Sequence, residues 1–314
     1  MTAADTPPPP PAPLAPAPTG PPRRLVYLGT PQAAVAPLRA LVAAGFEVAL
    51  VVTRVDKRRG RGSDLSPSPV KAAALELALP VSHRVDDALT VDADLAVVVA
   101  FGQIVKRPVL ERLAFVNLHF SLLPRWRGAA PVERALLAGD PTTGVCLMLL
   151  EEGLDTGPVF ARVVVPVAPD ATLASLRAEL VDRGAMLLVD QLRAGLGVAV
   201  PQEGEATYAA KIDPAELAID WARPATELDR LVRLGGAWTT FRGRRLKVIE
   251  ARADTDDEAD VTAVAPPGAC VGTVVATGGG GLRLVTVQPE GKGAVPAEAW
   301  RNGARPLEGE VLGG

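Results

Sequence analysis

The amino-acid sequence predicts an α/β fold: a Rossmann-like doubly wound, mostly parallel sheet followed by a small C-terminal β-barrel of OB-like type. Two observations carry that prediction. Between Leu25 and about Arg193, short Val- and Leu-rich runs alternate with amphipathic helical stretches, the pattern of parallel βαβ units. Beyond Lys211 the character changes to short apolar runs separated by turns. At 314 residues the chain is long enough for two domains or one large one, and ample for a buried core.

Taken in order, Leu25 to Gly29 is a buried strand. Thr30 and Pro31 open a helix running to about Ala44, with proline near the N-terminal position it tolerates. Gly45 ends that helix, and Glu47 to Thr53 is the next strand. After a charged loop, Ser68-Pro69-Val70 starts a second helix through about Leu79. Asp94 to Ala100 and Phe115 to His119 are the third and fourth strands. Gly144 to Leu150 is strand-like and leads through a Glu151–Gly157 loop into a strand from Val159 to Val167. Thr172 to about Arg193 is a long helix, and Gly195 to Lys211, with Pro201 and Gly204, reads as a connector. A helix at Ala225 to Leu234 then precedes strands at Trp238–Phe241, Leu246–Ala251, Cys270–Ala276 and Leu282–Gln288. Gly278 to Gly281 is a hairpin signal between the last two, and Asp254 to Asp260 is a solvated acidic loop. The expected organisation is a disordered Pro/Ala-rich tail at 1–22, an α/β domain at 23–194, a linker at 195–211 and a barrel domain at 212–314.

Composition narrows the functional classes. The chain is 48% hydrophobic and only 4% aromatic, as in a compact globular protein rich in Ala, Val and Leu. Its longest largely apolar stretch, Ala93 to Phe101 with Asp94 within it, falls well short of the roughly 18–20 residues that span a bilayer. The start of the chain lacks a basic region followed by an apolar core, so no secretory signal is read there; ten of the 30 prolines precede Arg23. Cys146 and Cys270 lie far apart without C-x-x-C spacing, so both are expected to be reduced core residues of a cytoplasmic protein. With two histidines and two scattered cysteines, no metal site is expected. A net charge of −3 means that any nucleic-acid contact must use local basic patches.

The stretch with the most chemistry is Asn117-Leu-His119-Phe-Ser121-Leu-Leu-Pro124-Arg-Trp-Arg-Gly128. Residues i and i+2 of a strand share a face, so Asn117 and His119 project together from a strand end. In doubly wound sheets that is where ligands bind. A neutral amide donor beside a group that can donate, accept or carry a proton suits an acyl-type transfer, in which a carbonyl oxygen gains charge and a proton moves.

The block Asn117 to Pro131, followed by Gly153-Leu-Asp155-Thr-Gly157, resembles the 10-formyltetrahydrofolate-dependent formyltransferases. Leu28-Gly-Thr-Pro31, Ser66-Pro-Ser-Pro-Val-Lys71, Val99-Ala-Phe-Gly102, Ala237-Trp-Thr-Thr-Phe241 and Gln288-Pro-Glu-Gly-Lys292 extend the resemblance over nearly the whole chain from Arg23. It implies formyl transfer from 10-formyltetrahydrofolate to an amine, by direct attack and without a metal. Asn117 and His119 would stabilise the oxyanion, and Asp155 would assist proton transfer. Without that pair Asp155 would read simply as a turn residue. The folate co-substrate would be bound by Ser121, Leu122, Leu123 and Pro124, by Phe101, Gly102, Gln103 and Ile104, and by Leu154. Phe120 departs from the family pattern, where a small residue is usual.

Within that family the closest resemblance is to enzymes whose amine is the α-amino group of initiator methionyl-tRNA. Arg54, Lys57, Arg58, Arg59 and Arg61 make five of eight positions basic between a strand and a helix, a charge density suited to phosphates. Arg61 matches the family's key arginine. In the second domain Arg242, Arg244, Arg245 and Lys247 form another basic segment, with Trp238 expected as a core anchor. The expected partners are tRNA and folate, with no membrane and a monomeric chain. The competing readings are an N-formyltransferase acting on an amino-sugar nucleotide, which needs neither basic segment, and a non-catalytic RNA-binding protein, which needs no Asn117–His119–Asp155 set. The absence of G-x-G-x-x-G after the first strand weakens a dinucleotide site.

Overall fold

The computed structural model describes residues 13–58, 65–254, 265–307 and 310–314. Residues 1–12 of the Pro/Ala-rich tail, Arg59, Arg61 and residues 255–260 of the acidic stretch lie outside the described residues. By packing, the chain groups into two compact units. One holds the chain up to Arg127 with Gly144–Val165 and Ala178–Thr207; the other holds Gly128–Thr143, Pro166–Arg177 and Tyr208–Gly314.

The first ten strands are β1 (Arg24–Gly29), β2 (Glu47–Val52), β3 (Lys57–Arg58), β4 (Leu65–Ser66), β5 (Val81–Ser82), β6 (Leu95–Val99), β7 (Phe115–His119), β8 (Arg127–Gly128), β9 (Thr142–Leu149) and β10 (Val159–Pro166). Seven of them form one sheet in the order β10-β9-β7-β6-β1-β2-β5, while β3 pairs with β4 as a short ribbon. Pairing is parallel from β5 through β7 and antiparallel between β7 and β9. The five residues of β6, Leu95–Val99, are all buried, as are residues 25–29 of β1. That continuous burial is what helices on both faces of a parallel sheet produce, and it is why these strands stand out as uninterrupted apolar runs.

Five helices occur over the same stretch of chain: α1 (Val35–Ala43), α2 (Pro69–Glu76), α3 (Arg107–Leu110), α4 (Pro131–Ala138) and α5 (Leu173–Ala194). The Ser68 hydroxyl caps α2 by accepting from the Lys71 amide at 3.0 Å, with Pro69 at the first turn. The first helix departs from expectation: Pro31 supplies no side-chain cap, so the chain begins with a 3₁₀ turn at Gln32–Ala34 before α1. Chain order places β2 and β5 on one side of β1 and β6 on the other, so the order reverses between β1 and β6. The carboxyl ends there open the crevice in which doubly wound sheets bind ligands. Val99 runs there into Ala100 and Gly102, both at positive φ (46° and 68°), and Thr30 Oγ1 donates to the Phe101 carbonyl at 3.3 Å.

Later in the chain come β11 (Tyr208–Ala209), β12 (Trp238–Phe241), β13 (Arg244–Asp254), β14 (Cys270–Val271), β15 (Val274–Ala276), β16 (Gly281–Pro289) and β17 (Val295–Pro296), with α6 (Ala225–Leu234) and α7 (Ala297–Ala304). Strand β11 pairs with β8, and the other six form an antiparallel sheet in the order β12-β13-β16-β15-β14, with β17 on β16. Register breaks around Glu250 bend β13. The core of this unit joins Leu228 and Leu231 of α6 to Val248, Val275, Leu282 and Val287, with Trp221 beside them. The run Cys270–Ala276, expected as one strand, is a hairpin: Gly272 turns at φ 64° and sets Cys270 opposite Val275. Among the described residues no helix is long and apolar enough to cross a membrane.

Candidate active site

Strand β7 ends in the pair anticipated from its alternation. His119 is 5% exposed, and Asn117 is half-buried. The third member comes from the loop between β9 and β10. Asp155 is 8% exposed and takes φ 52°, a left-handed conformation that aspartate adopts more readily than most residues. The loop closes tightly at Gly157, where a Cβ would stand 1.9 Å from the Leu149 carbonyl oxygen, so only glycine fits. Asn117 Nδ2 donates to Asp155 Oδ1 at 3.3 Å, and His119 Nδ1 stands 3.6 Å from Asp155 Oδ2. A single carboxylate thus faces both side chains. Since a carboxylate only accepts, the Asn117 atom turned toward it is the nitrogen, and a second N–H of that amide remains for another acceptor.

The other imidazole nitrogen meets the backbone. His119 Nε2 lies 2.9 Å from the Trp126 carbonyl oxygen, which can only accept, so Nε2 carries a hydrogen. Trp126 sits at φ 62° in the loop after β7, a loop tied internally by Ser121 Oγ donating to the Arg125 carbonyl at 2.6 Å. Nδ1 is consequently the nitrogen that faces the carboxylate.

Two further side chains, both from the segment expected as a plain connector, hold these loops. Gln202 Nε2 donates to the carbonyls of Asp155 and Gly157, each at 2.8 Å, while its Oε1 accepts from Arg127 Nη2 at 2.7 Å and Nε at 3.1 Å. Thr207 Oγ1 accepts from the Trp126 amide at 2.9 Å. Nothing in the spacing of the sequence marks either residue. Each reaches a backbone group far along the chain, 47 and 81 positions away. At the outer end of the Asp155 loop, Glu152 accepts from Arg107 at 2.5 Å.

The residues expected to hold folate divide by burial. Ser121, Leu123 and Phe101 are 0–2% exposed and form the floor of their loops. Leu122 and Pro124 are half-buried, and Gly102 and Gln103 are exposed. Ile104 and Leu154 stand out at 85% and 62% exposed, apolar side chains left open to solvent. Phe120, one residue past His119, points to the opposite face and lies over Gly184 of α5. Cys146 pairs with His119 across the β7–β9 ladder; its burial pushes the thiol above the ordinary cysteine range and keeps it protonated.

The basic segments are equally uneven. Arg54 donates to the Gly102 carbonyl, joining the first segment to the loop after β6. Lys57 is exposed, Asp56 pairs with Lys71 at 2.7 Å, and Arg58 lies in β3. Arg242 is already engaged with Glu310 at 2.5 and 2.7 Å. Arg244, Arg245 and Lys247 are exposed. Trp238 is not the core anchor expected of it: the ring is half-buried, with the Arg245 guanidinium 4.3 Å from its centroid and Lys247 directly opposite across the ladder. The buried indole is Trp221, whose Nε1 donates to Thr239 Oγ1 at 3.0 Å.

Comparison with known proteins agrees with this architecture. Residues 23–192 match the family model for formyl transferase, and residues 211–305 match that for the formyl transferase C-terminal domain. A methionyl-tRNA formyltransferase of Roseobacter denitrificans is 44% identical over 313 residues, 93% of this chain and 99% of that protein. One from Symbiobacterium thermophilum is 44% identical over 89% of this chain and 92% of its own length. Among solved structures, an N-formyltransferase of Helicobacter canadensis in complex with folinic acid and dTDP-3-aminofucose superposes with TM-score 0.64 at 16% identity, covering 85% of this chain and 99% of that one, a likeness of fold. The chain belongs to the formyl transferase family.

Proposed function

We propose that this enzyme transfers the formyl group of 10-formyltetrahydrofolate to the α-amino group of initiator methionyl-tRNA. The observation that carries the reading is the meeting of Asn117, His119 and Asp155 on one carboxylate, in a chain whose full-length relatives bear that enzyme name.

The chemistry follows from the geometry. The neutral amine attacks the formyl carbon and a C–N bond forms; the formyl oxygen becomes an oxyanion. The free N–H of Asn117 and a proton on His119 Nδ1 are the donors for that oxygen, with Nε2 committed to the Trp126 carbonyl. At 3.6 Å the contact between Nδ1 and Asp155 is longer than a hydrogen bond, so a proton on Nδ1 is available to a substrate oxygen. Burial of both groups strengthens these interactions. Collapse of the intermediate breaks the bond from carbon to N10 of the folate. The amine loses one proton, and N10 gains one, with Asp155 as the local acceptor on the way. Products are formyl-methionyl-tRNA and tetrahydrofolate. Ile104 and Leu154 offer apolar surface to the pterin, while Arg54, Lys57, Arg245 and Lys247 offer charge to the tRNA backbone.

The test is transfer of labelled formyl from 10-formyltetrahydrofolate to methionyl-initiator tRNA, with uncharged tRNA and amino-sugar nucleotides as parallel acceptors. Transfer to the charged tRNA alone is the expected outcome. Transfer to a sugar nucleotide, or none to tRNA, would sink the reading.

A further inference from the structure

We propose that Gln202 is a positioning residue, holding the Asp155 carboxylate in register with His119 through a four-bond amide clamp. The proposal rests on the functional reading above for its kinetic arm and on geometry alone for its spectroscopic one.

The clamp uses the full hydrogen-bonding capacity of one amide. Both Nε2 hydrogens go to backbone carbonyls of the Asp155 loop, those of Asp155 and Gly157. Both Oε1 lone pairs go to the Arg127 guanidinium. The four partners also fix the amide's sense, because a flipped amide would set its oxygen against two carbonyl oxygens and its nitrogen against a cation. Asp155 needs such support. It occupies a left-handed backbone conformation, and it reaches Asn117 and His119 from a separate loop. Gly157 cannot shift toward Leu149, whose carbonyl already fills the space beside it.

The same strap of chain holds the other side of the histidine. Val200 pairs with Val159 in both directions, at 2.8 and 2.9 Å, fixing the strap to the start of β10. Thr207 receives the Trp126 amide on its hydroxyl, donates its own amide to the Pro124 carbonyl at 3.3 Å and accepts from the Arg127 amide at 2.8 Å. Trp126 is the residue whose carbonyl sets the His119 tautomer. Residues 200–207 therefore fasten, on one side, the carboxylate facing Nδ1 and, on the other, the carbonyl facing Nε2. Arg127 joins the two halves, since its side chain holds Gln202 and its backbone holds Thr207.

Two measurements test the clamp on the full-length chain. The chain has two histidines, so ring-nitrogen NMR gives two imidazole signatures, with His83 as internal reference. In Gln202→Ala the His119 ring resonances move and those of His83 stay. In formyl transfer the variant loses about 10²-fold in kcat with KM for both substrates unchanged, the size expected from misplacing a reacting group by an ångström. In an Asp155→Asn background the same change adds no further loss, because a residue acting through Asp155 has nothing left to act on. Gln202→Glu keeps the Arg127 contact but turns a carboxylate toward two carbonyls, so it loses activity as Gln202→Ala does. An unmoved His119 spectrum, equal losses in both backgrounds, or full activity in Gln202→Glu would each overturn the proposal. Wild-type activity in Asp155→Asn would instead overturn the functional reading, and the His119 spectrum would still decide the clamp.

Discussion

The end of β7 and the exposed face of β13 both concentrate polar chemistry, and they are built in opposite ways. His119 and Asp155 are buried and Asn117 half-buried, and all three have fixed partners, several of them backbone groups that cannot rotate away. Arg244, Arg245 and Lys247 are exposed on a strand surface, with the Trp238 ring beside the Arg245 guanidinium. A barrier is lowered by donors that do not reorganise as charge develops, which demands burial and bracing. A polyanion is gathered by mobile cations that release its counterions, which demands exposure. Charge alone does not distinguish the two regions; the stiffness and dryness of its setting do.

Replacing His119 with alanine gives the largest contrast. Loss of one oxyanion donor costs about 2.7–4 kcal/mol, so kcat falls by 10²–10³-fold while the KM for tRNA holds; a smaller drop in single-turnover transfer would separate His119 from the chemistry. Next comes the bracing itself. Gly157→Ala forces a Cβ onto the Leu149 carbonyl and costs about 1–3 kcal/mol in urea unfolding, with transfer activity reduced alongside. On the exposed face the effect is smaller and of another kind. Arg245→Ala or Lys247→Ala weakens tRNA binding and reduces the salt slope by about 1 each, leaving kcat at saturating tRNA intact. A kcat loss there would blur the contrast.

The smallest expected effect concerns Glu310. Its hydrogen bonds from Arg242, and then from the Leu307 amide, hold its carboxyl down to about 2 from 4.5. A carboxylate depressed on folding contributes stability above its unfolded value, and that contribution is lost as pH falls from 4.5 toward 2. Solvent screens the pair, so Glu310→Gln should flatten the acid side of the stability profile only slightly. Unfolding midpoints measured across that window check it.

The sequence made the sheet legible where its strands are buried on both sides. The runs around Val26, Val97 and Val116 have no polar interruption, and the Asn117–His119 pair follows from a period of two. Asp155 needed the family pattern, because a Leu-Asp-Thr-Gly turn is compatible with purely local bonding. Other features were hidden for identifiable reasons. The turn inside Cys270–Ala276 rests on Gly272 alone, in a run that otherwise reads as strand. Trp238 sits at a strand position whose neighbours suggest burial, yet its cross-strand partner is a lysine. Gln202 bonds the Asp155 carbonyl and Thr207 the Trp126 amide, main-chain groups common to nearly every residue, so side-chain type gives no hint of those pairings.

The hydrogen-bond acceptor behind His119 belongs to the main chain at Trp126. A side-chain replacement at position 126 leaves that carbonyl in place as long as the loop keeps its shape. The orientation of the histidine is thereby insulated from point mutation at its nearest neighbour. It is exposed instead to insertions, deletions or changes that re-route the loop.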